Sequence, residues 1–358
     1  PTTETKSSAA SDVYKRQIYN YIEIREVLEK KGATFTTHTD TEVILKAYRE
    51  YGQDCLNHFN GMFAFAIWDP STQEIFLARD RLGIKPLYYF FDNHGDFYFA
   101  SEVKAILAGL EEPIGVNSEL IDEYMSFGYV PGEDTLKVGI KRLLPGHCAV
   151  LSSKGLNIKR YWDVVYDHSE DLGFDYYLDT SRTLLESAAE LRLRSDVPLG
   201  VFLSGGVDSS AVVALLAARV SDPIKTFSVA YDFGEAFDET RYARMVAKRF
   251  GTDHHELFVT PEQFRDFIPE YVRLMDEPVT EAAAISLYFL SRMTKDHVTV
   301  VLSGEGSDEV FGGYDFYRYM LAVEKYRKLL GPLARMIGSM ADASPVKNKV
   351  TKYLTMLG

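Results

Sequence analysis

Residues 199–210 read LGVFLSGGVDSS. An apolar run, Leu199 to Leu203, stops at Ser204-Gly205-Gly206; then come Val207-Asp208-Ser209-Ser210 and an apolar stretch from Ala211 to Val220. That order predicts a buried strand, a tight glycine turn and the start of a helix. Such a turn presents bare backbone N–H groups to an anion, and the helix N-terminus adds partial positive charge. The two glycines let the backbone approach a phosphate closely. No Lys stands where a GxxxxGK[ST] loop requires one, so the turn is not built to grip the β- and γ-phosphates of a transferring γ-phosphoryl group. It carries an acid instead, Asp208, suited to hold Mg²⁺ on a pyrophosphate. An ordinary glycine-rich strand–helix connection is the plainer alternative.

Working outward, the pattern alternates. Helices are expected over 176–192, 209–220 and 239–250 and across 261–295, with strands at 199–203, 225–231 (KTFSVAY), HELFV and VTVVLSG, the last ending at Gly304. Strand–helix alternation with Val-rich strands predicts a doubly wound parallel sheet, whose ligands bind beyond the carboxyl ends of its strands. A second constellation, SGEGSDEVFGGY at 303–314, repeats the design: an apolar strand opens into Ser303-Gly304 and then acids. Glu305, Asp308 and Glu309 are spaced i, i+3, i+4 and would share a face if the segment is helical throughout. Three carboxylates beside a polyphosphate repel it unless a cation intervenes, so Asp208 and Asp308 form a candidate pair of Mg²⁺ ligands. Glu305 is left for acid–base work or substrate orientation. Acids decorating a helix N-terminus are the alternative.

The N-terminal half has a different period. Helices are expected over 18–32 and 40–51, stopped by Gly32 and Gly52; Thr39 and Glu42 have capping-box spacing. GMFAFAIWD, EIFLARD, LYYFF, DFYFASE and PGHCAVLSSKG then read as strands, several apolar on consecutive residues as in a sheet covered on both faces. Arg79, Asp80, Arg81 and Lys85 read either as an interdomain or tunnel-lining cluster or as a solvated charged turn, the latter being the default. The acidic, weakly patterned segment 166–175 is the expected linker, and residues 1–17 read as a disordered tail or foreign sequence.

The 358 residues suffice for two domains, and a net charge of −13 argues against a nucleic-acid binder. That charge reads most plainly as that of a soluble cytoplasmic protein, and no apolar run is long enough for a membrane span. Cys55 and Cys148 are too few for a disulfide framework or a zinc site and read as buried, reduced and structural.

SGGVDSS resembles the signature of the PP-loop enzymes, which split ATP between its α- and β-phosphates. Together with SGEGSDE and FGGY, it resembles the synthetase domain of glutamine-hydrolysing asparagine synthetases. IYNY, THTDTEVI, NGMFAFAIWD, LARDRLGIKPLYY and FASEVKAIL are similar to the class II glutaminase domain of the same enzymes. The motifs run in family order through nearly the whole chain. The resemblance implies a two-domain α/β protein: an incomplete Ntn-hydrolase-type α/β sandwich over 18–165, and an incomplete PP-loop, HUP-like parallel sheet over 176–358. It implies aspartate, ATP and glutamine or ammonia as substrates, Mg²⁺, a β-aspartyl-AMP intermediate and a possible homodimer. Carried onto this chain, Ser204, Gly205, Gly206, Asp208 and Ser209 cradle the pyrophosphate. Leu203 and Val229 flank the adenosine, and Ser303 and Gly304 close the nucleotide site. Glu305 is the catalytic acid, and Asp208 and Asp308 face Mg²⁺. Asp40 holds the amino group of glutamine, although an acid in the first turn of a helix is also what the macrodipole favours.

The departures are local. The family's nucleophile is an N-terminal cysteine, whereas this chain opens with Pro1, and neither Cys55 nor Cys148 matches that position. Lys15-Arg16-Gln17 occupy the place of the family's Asn-Gly-Glu. The chain therefore reads as a fragment without glutaminase activity, shortened at both ends. In DEPVTEAAAIS (276–286), Glu281-Ala282-Ala283 departs from the pattern of a plain asparagine synthetase. This leaves two further readings: a relative adenylating another carboxylate, such as a cell-surface polysaccharide precursor or a β-lactam-type substrate, and a non-catalytic nucleotide-binding protein.

Overall fold

The computed structural model describes residues 16–167, 169–195, 197–231, 240–277 and 279–342. The N-terminal elements are β1 (Arg16–Ile18), α1 (Tyr21–Lys30), α2 (Asp40–Tyr51), β2 (Gly61–Asp69), β3 (Glu74–Arg79), β4 (Tyr88–Phe91), β5 (Phe97–Ala100), α3 (Val103–Ala108), α4 (Ile121–Phe127), β6 (Lys141–Arg142), β7 (His147–Ser152) and β8 (Gly155–Arg160). There follow α5 (Phe174–Arg192), β9 (Leu199–Phe202), α6 (Val207–Ala217), β10 (Lys225–Tyr231), α7 (Thr240–Phe250), β11 (Asp253–Val259), α8 (Pro261–Leu274), α9 (Ala282–Thr294), β12 (Val300–Leu302), α10 (Ser307–Phe311), α11 (Asp315–Leu330) and α12 (Pro332–Asp342). The α/β class expected from the sequence is the one observed.

An antiparallel sheet runs β1-β2-β3-β7-β8, and a smaller one runs β5-β4-β6. Strand β2 has side chains buried on both faces. Phe63, Phe65 and Ile67 join Ile24, Leu28, Val43, Ile44 and Ala47 of α1 and α2. Ala64 and Ala66 instead pack with Leu77, Leu87, Tyr89 and Leu143. Burial on alternate sides is what makes the strand read as a continuous apolar run. The hairpin between β7 and β8 pairs Ser152 with Gly155, which has φ of 102°.

Several boundaries differ from the sequence reading. Arg16 and Gln17 belong to β1, paired with Phe63 and Met62, and not to a tail; Ile18 is strand and not helix. Edge pairing with β2 overrides the local helical pattern there. Residues 1–15, the rest of the expected tail, and 343–358 lie outside the described residues. Helix α5 begins at Phe174, inside the stretch read as a linker. The expected helical region 261–295 is two helices, α8 and α9.

Two side chains read as a solvated turn are interior. Asp80 is 1% exposed and accepts from the amides of Phe63 (3.2 Å), Ile84 (2.9 Å) and Lys85 (2.9 Å). The Arg79 guanidinium donates to the carbonyls of Lys85, Gly83 and Leu143 at 2.7–2.8 Å, and burial pulls its pKa down. The segment RDRLGIK is thus a loop whose buried backbone groups are satisfied by its own charges. Asp80→Ala should strand three amides and destabilise the protein by about 3–5 kcal/mol, measured by chemical denaturation; a loss below about 1 kcal/mol would restore the solvated-turn reading.

The second sheet has the order β11-β10-β9-β12, with β9 and β10 parallel in register Gly200–Lys225 to Phe202–Phe227. In chain order this sheet runs outward from β9 through β10 to β11, then crosses back to place β12 on the other side of β9. The order of winding turns back at β9, with β10 on one side and β12 on the other, so the topological switch point lies there, and open α/β sheets bind ligands at the carboxyl ends beside it. By packing, the chain divides into two compact units, one drawn from residues 1–199, 229–238 and 256–299, the other from 200–228, 239–255 and 300–358. Residues 256–299 are thus grouped with the N-terminal sheets, whereas the sequence places its division at 166–175.

Candidate nucleotide and amide-forming site

Leu203, the residue after β9, is a core residue, 1% exposed, and its amide donates to the Phe227 carbonyl of β10 (2.8 Å). The Ser228 hydroxyl donates to the Leu203 carbonyl, which ties the end of β9 to β10. The sequence marks Ser228-Val229 as a strand end; the strand runs on to Tyr231, and Ser228 serves within it as a brace. Val229 lies within β10, two residues before its end, and is half-buried.

The turn Ser204-Gly205-Gly206 is braced from within. The Ser204 and Ser209 hydroxyls lie 3.0 Å apart, and the Ser209 hydroxyl accepts from the Ser204 amide (3.2 Å). Ser204 Oγ accepts from the Gly206 amide (3.2 Å), and Ser210 Oγ donates to the Gly206 carbonyl (2.6 Å). Gly205 has φ of 86°, and a Cβ there would lie 2.5 Å from the Ala243 nitrogen of α7, so glycine is required twice over. Helix α6 then starts with Gly206 as N-cap, without a side-chain cap. A glycine cap leaves the first-turn amides to another acceptor, which suits an anion. Asp208 is the acid of that first turn.

The second loop meets the first. A Cβ on Gly304 would lie 2.8 Å from the Ser209 nitrogen and 3.0 Å from Asp208 Cβ. The Ser-Gly loop after β12 therefore rests directly on the first turn of α6. Ser303 accepts from the Glu305 amide (3.4 Å), and Glu305 is exposed. Helix α10 starts only at Ser307, after Gly306 with φ of 92°. Glu305 therefore does not share a helix face with Asp308 and Glu309 as the spacing suggested; the glycine turns the chain between them. Glu309 accepts from Tyr314 (2.7 Å), which draws its pKa down and pushes the Tyr314 phenol up to about 12, closing the FGGY turn as a brace. Gly313 packs over the Asp308 side chain.

No group of three His, Cys, Asp or Glu side chains that could hold a metal occurs among the described residues. Asp208 in the first turn of α6 and Asp308 in the first turn of α10 are hard-oxygen donors of the type Mg²⁺ takes, commonly one or two carboxylates with phosphate and water completing the shell.

In the N-terminal region Asp40 opens α2, and its carboxylate accepts from the Ile18 amide (3.1 Å), tying β1 to the helix. Thr39 caps α2 by accepting from Glu42 N (3.3 Å), but Glu42 does not return the bond of a capping box. Its carboxylate reaches the Thr36 and Thr37 amides and hydroxyls instead. Desolvation opposes ionisation there, yet these donors hold Glu42 down at about 2. Cys55 and Cys148 are buried, and burial pushes the Cys55 thiol up to about 12. Neither suits a nucleophile, which needs an exposed, acidic thiol. Iodoacetamide at pH 8 should label both only after denaturation; labelling of the native protein at free-thiol rates would contradict this placement.

The model of the family "Asparagine synthase" matches residues 180–358, and that of "Glutamine amidotransferase domain" matches residues 1–162. Asparagine synthetase [glutamine-hydrolyzing] 1 of Bacillus subtilis is 38% identical over 336 residues, covering 93% of this chain and 52% of that protein. Asparagine synthetase [glutamine-hydrolyzing] 3 of the same organism is 36% identical over 327 residues, covering 87% and 53%. A protein of Gibberella zeae called amidase chry2 is 29% identical over 324 residues, covering 86% and 47%. The chain thus spans about half the length of the curated relatives it matches. No helix among the described residues is long and apolar enough to cross a membrane. With both family models matched in succession along it, this chain belongs to the asparagine synthase family.

Proposed function

We propose that the chain carries the ATP-dependent, amide-forming machinery of a glutamine-hydrolysing asparagine synthetase, with aspartate as acceptor. The observation that carries this reading is the meeting of the two Ser-Gly loops, where Gly304 lies against Asp208 and Ser209 at the switch point of the parallel sheet. One side-chain carboxylate oxygen of aspartate attacks the α-phosphorus of ATP. The bond from that phosphorus to the α,β-bridging oxygen breaks, and pyrophosphate leaves. Ammonia nitrogen then attacks the acyl carbon, the bond to AMP breaks, and the nitrogen gives up a proton.

Ser204, Gly205, Gly206 and Ser209, with the first-turn amides of α6, would hold the departing pyrophosphate. Asp208 and Asp308 would hold Mg²⁺, which when bound offsets the negative charge of the phosphates. Ser303 and Gly304 would close the nucleotide site, beside the ends of β9 and β10 that carry Leu203 and Val229. Glu305, exposed at the mouth of the second loop, would orient the acceptor and take the proton from the attacking ammonia. Asp40 would hold the amino group of glutamine on the N-terminal side, with the carboxylate that also orients the Ile18 amide.

The test is ATP–pyrophosphate exchange with a panel of carboxylates. Exchange with aspartate supports the proposal, and nucleotide binding without exchange refutes an enzymatic role. Exchange only with another acid would favour a second reading, an amidating relative with a different acceptor. Glu281-Ala282-Ala283 in the acceptor-side segment, and kinship with a protein called an amidase, support that second reading.

A further inference from the structure

The second loop continues into Phe311-Gly312-Gly313-Tyr314, and its two successive glycines are there for different reasons. Helix α10 is five residues long and ends at Gly312, which has φ of 66°. A left-handed C-cap is what glycine supplies most easily. Gly313 has no such need, because its φ lies outside the left-handed region. What surrounds it is Asp308. A Cβ on Gly313 would overlap Asp308 Oδ1, and would lie 3.0 Å from Asp308 Cγ and 3.2 Å from Asp308 Cα. The carboxylate thus occupies the space that any side chain at 313 would fill.

The same turn holds the main chain of Asp308. Its carbonyl accepts from the amides of Gly312 and Gly313, the latter at 2.9 Å. Tyr314 closes the turn by donating to Glu309 (2.7 Å), and its ring stacks on Phe316 with centroids 5.7 Å apart. Asp308 is half-buried, whereas Glu305 and Glu309 are exposed. Of these three acids, Asp308 is the one with a glycine backbone packed against its carboxylate. A single helical turn has little stability of its own, so an acid carried on it needs such support to keep one direction. A carboxylate ordered during folding does not lose that freedom again when a ligand binds.

We infer that Gly313 is a positioning residue: by leaving room for the Asp308 carboxylate against its own Cα, it fixes the direction in which that carboxylate meets a cation on the nucleotide. This role rests on the proposed place of Asp308 beside Mg²⁺ and is independent of which acid is the acceptor. All the contacts it uses lie within the loop after β12.

The test uses the full chain with α,β-methylene-ATP, which cannot be split between its α- and β-phosphates. Mn²⁺ is the probe, its uptake read by loss of the free-ion paramagnetic resonance. Wild type is compared with Gly313→Ala, Asp308→Asn and the double variant. In Gly313→Ala the overlapped atom is the end of a side chain, so the carboxylate swings aside and the fold is kept, with a urea midpoint within about 0.3 M of wild type. The dissociation constant for Mn²⁺ should rise about tenfold, the lower end of what losing a supporting contact costs a metal site. Asp308→Asn should weaken Mn²⁺ at least as much. Adding Gly313→Ala to it should cost less than about twofold more, because the group through which Gly313 acts is already gone. Three results would each overturn the inference while leaving the amide-forming reading in place: equal Mn²⁺ binding by wild type and Gly313→Ala, additive losses in the double variant, or a urea midpoint lowered by about 1 M or more in Gly313→Ala. Wild type taking up no Mn²⁺ beyond that held by the nucleotide alone would overturn it together with the metal role of Asp308.

Discussion

Asp208→Asn should abolish Mg²⁺-dependent pyrophosphate release, by at least about 100-fold in turnover, while part of the nucleotide affinity survives. The asparagine side chain is nearly the same size, so the packing of α6 is kept. The hydroxyl bridge between Ser204 and Ser209 and the glycine-capped start of α6 do not use the Asp208 carboxylate. The backbone cradle therefore remains, and with it the part of binding that comes from amides and the helix terminus. What the proposed site would lose is a full negative charge toward the cation, and with it neutralisation of the leaving group. Isothermal titration with a non-hydrolysable ATP analogue, in parallel with a pyrophosphate-release assay across Mg²⁺ concentrations, separates the two. Turnover equal to wild type would remove Asp208 from the metal's surroundings. An equal and complete loss of nucleotide binding would make it a structural residue of the loop.

Gly304→Ala should be nearly as damaging for a different reason. The added methyl carbon would sit 2.8 Å from the Ser209 nitrogen and 3.0 Å from Asp208 Cβ, contacts that require one loop to move. The neighbours are backbone and the root of a side chain, so no flexible end can swing aside. The loop after β12 must lift off α6, pulling Ser303 and Glu305 away from the pyrophosphate cradle. Exchange should fall about 100-fold, and stability by about 1–3 kcal/mol, the usual range for overpacking. Gly306→Ala is the control. Gly306 has φ of 92° but open space around its Cβ position, so it should lose about 1–2 kcal/mol through backbone strain, with exchange far less affected than in Gly304→Ala. Equal activities of the two variants would mean that contact between the loops is not what builds the site.

The strands and most helices were legible because their information is local. GMFAFAIWD reads as β2 without a change of boundary, and Thr39 and Gly52 delimit α2 as the cap chemistry requires. The two Ser-Gly loops were legible for the same reason, since strand, glycine and helix cap follow one another within a dozen residues. Other readings failed where a partner distant in the chain decided the outcome. Asp80 and Arg79 read as surface charges because their spacing is that of an exposed turn; only the buried amides and carbonyls they meet explain their presence. Arg16 to Ile18 have no strand pattern of their own and are strand because β2 offers them an edge. Glu305 was grouped with Asp308 and Glu309 by helical spacing, which Gly306 interrupts with a positive φ.

The sequence by itself therefore determined the class of chemistry: a strand–glycine–helix turn with an acid in place of a lysine, repeated as SGEGSDE after a second strand, in a chain whose motifs follow the order of one family. Only the tertiary structure decided that these two loops touch. Strands β9 and β12 lie about a hundred residues apart in the chain and become neighbours through a crossover that no local pattern encodes. Only the structure, too, revealed that Asp276 and Glu277 fasten the segment after α8 to α3 and β6. A hydrogen bond closed over 135 or 173 residues leaves no periodicity behind; it exists because the folded backbone leaves an uncapped helix and a half-buried arginine where those two carboxylates arrive.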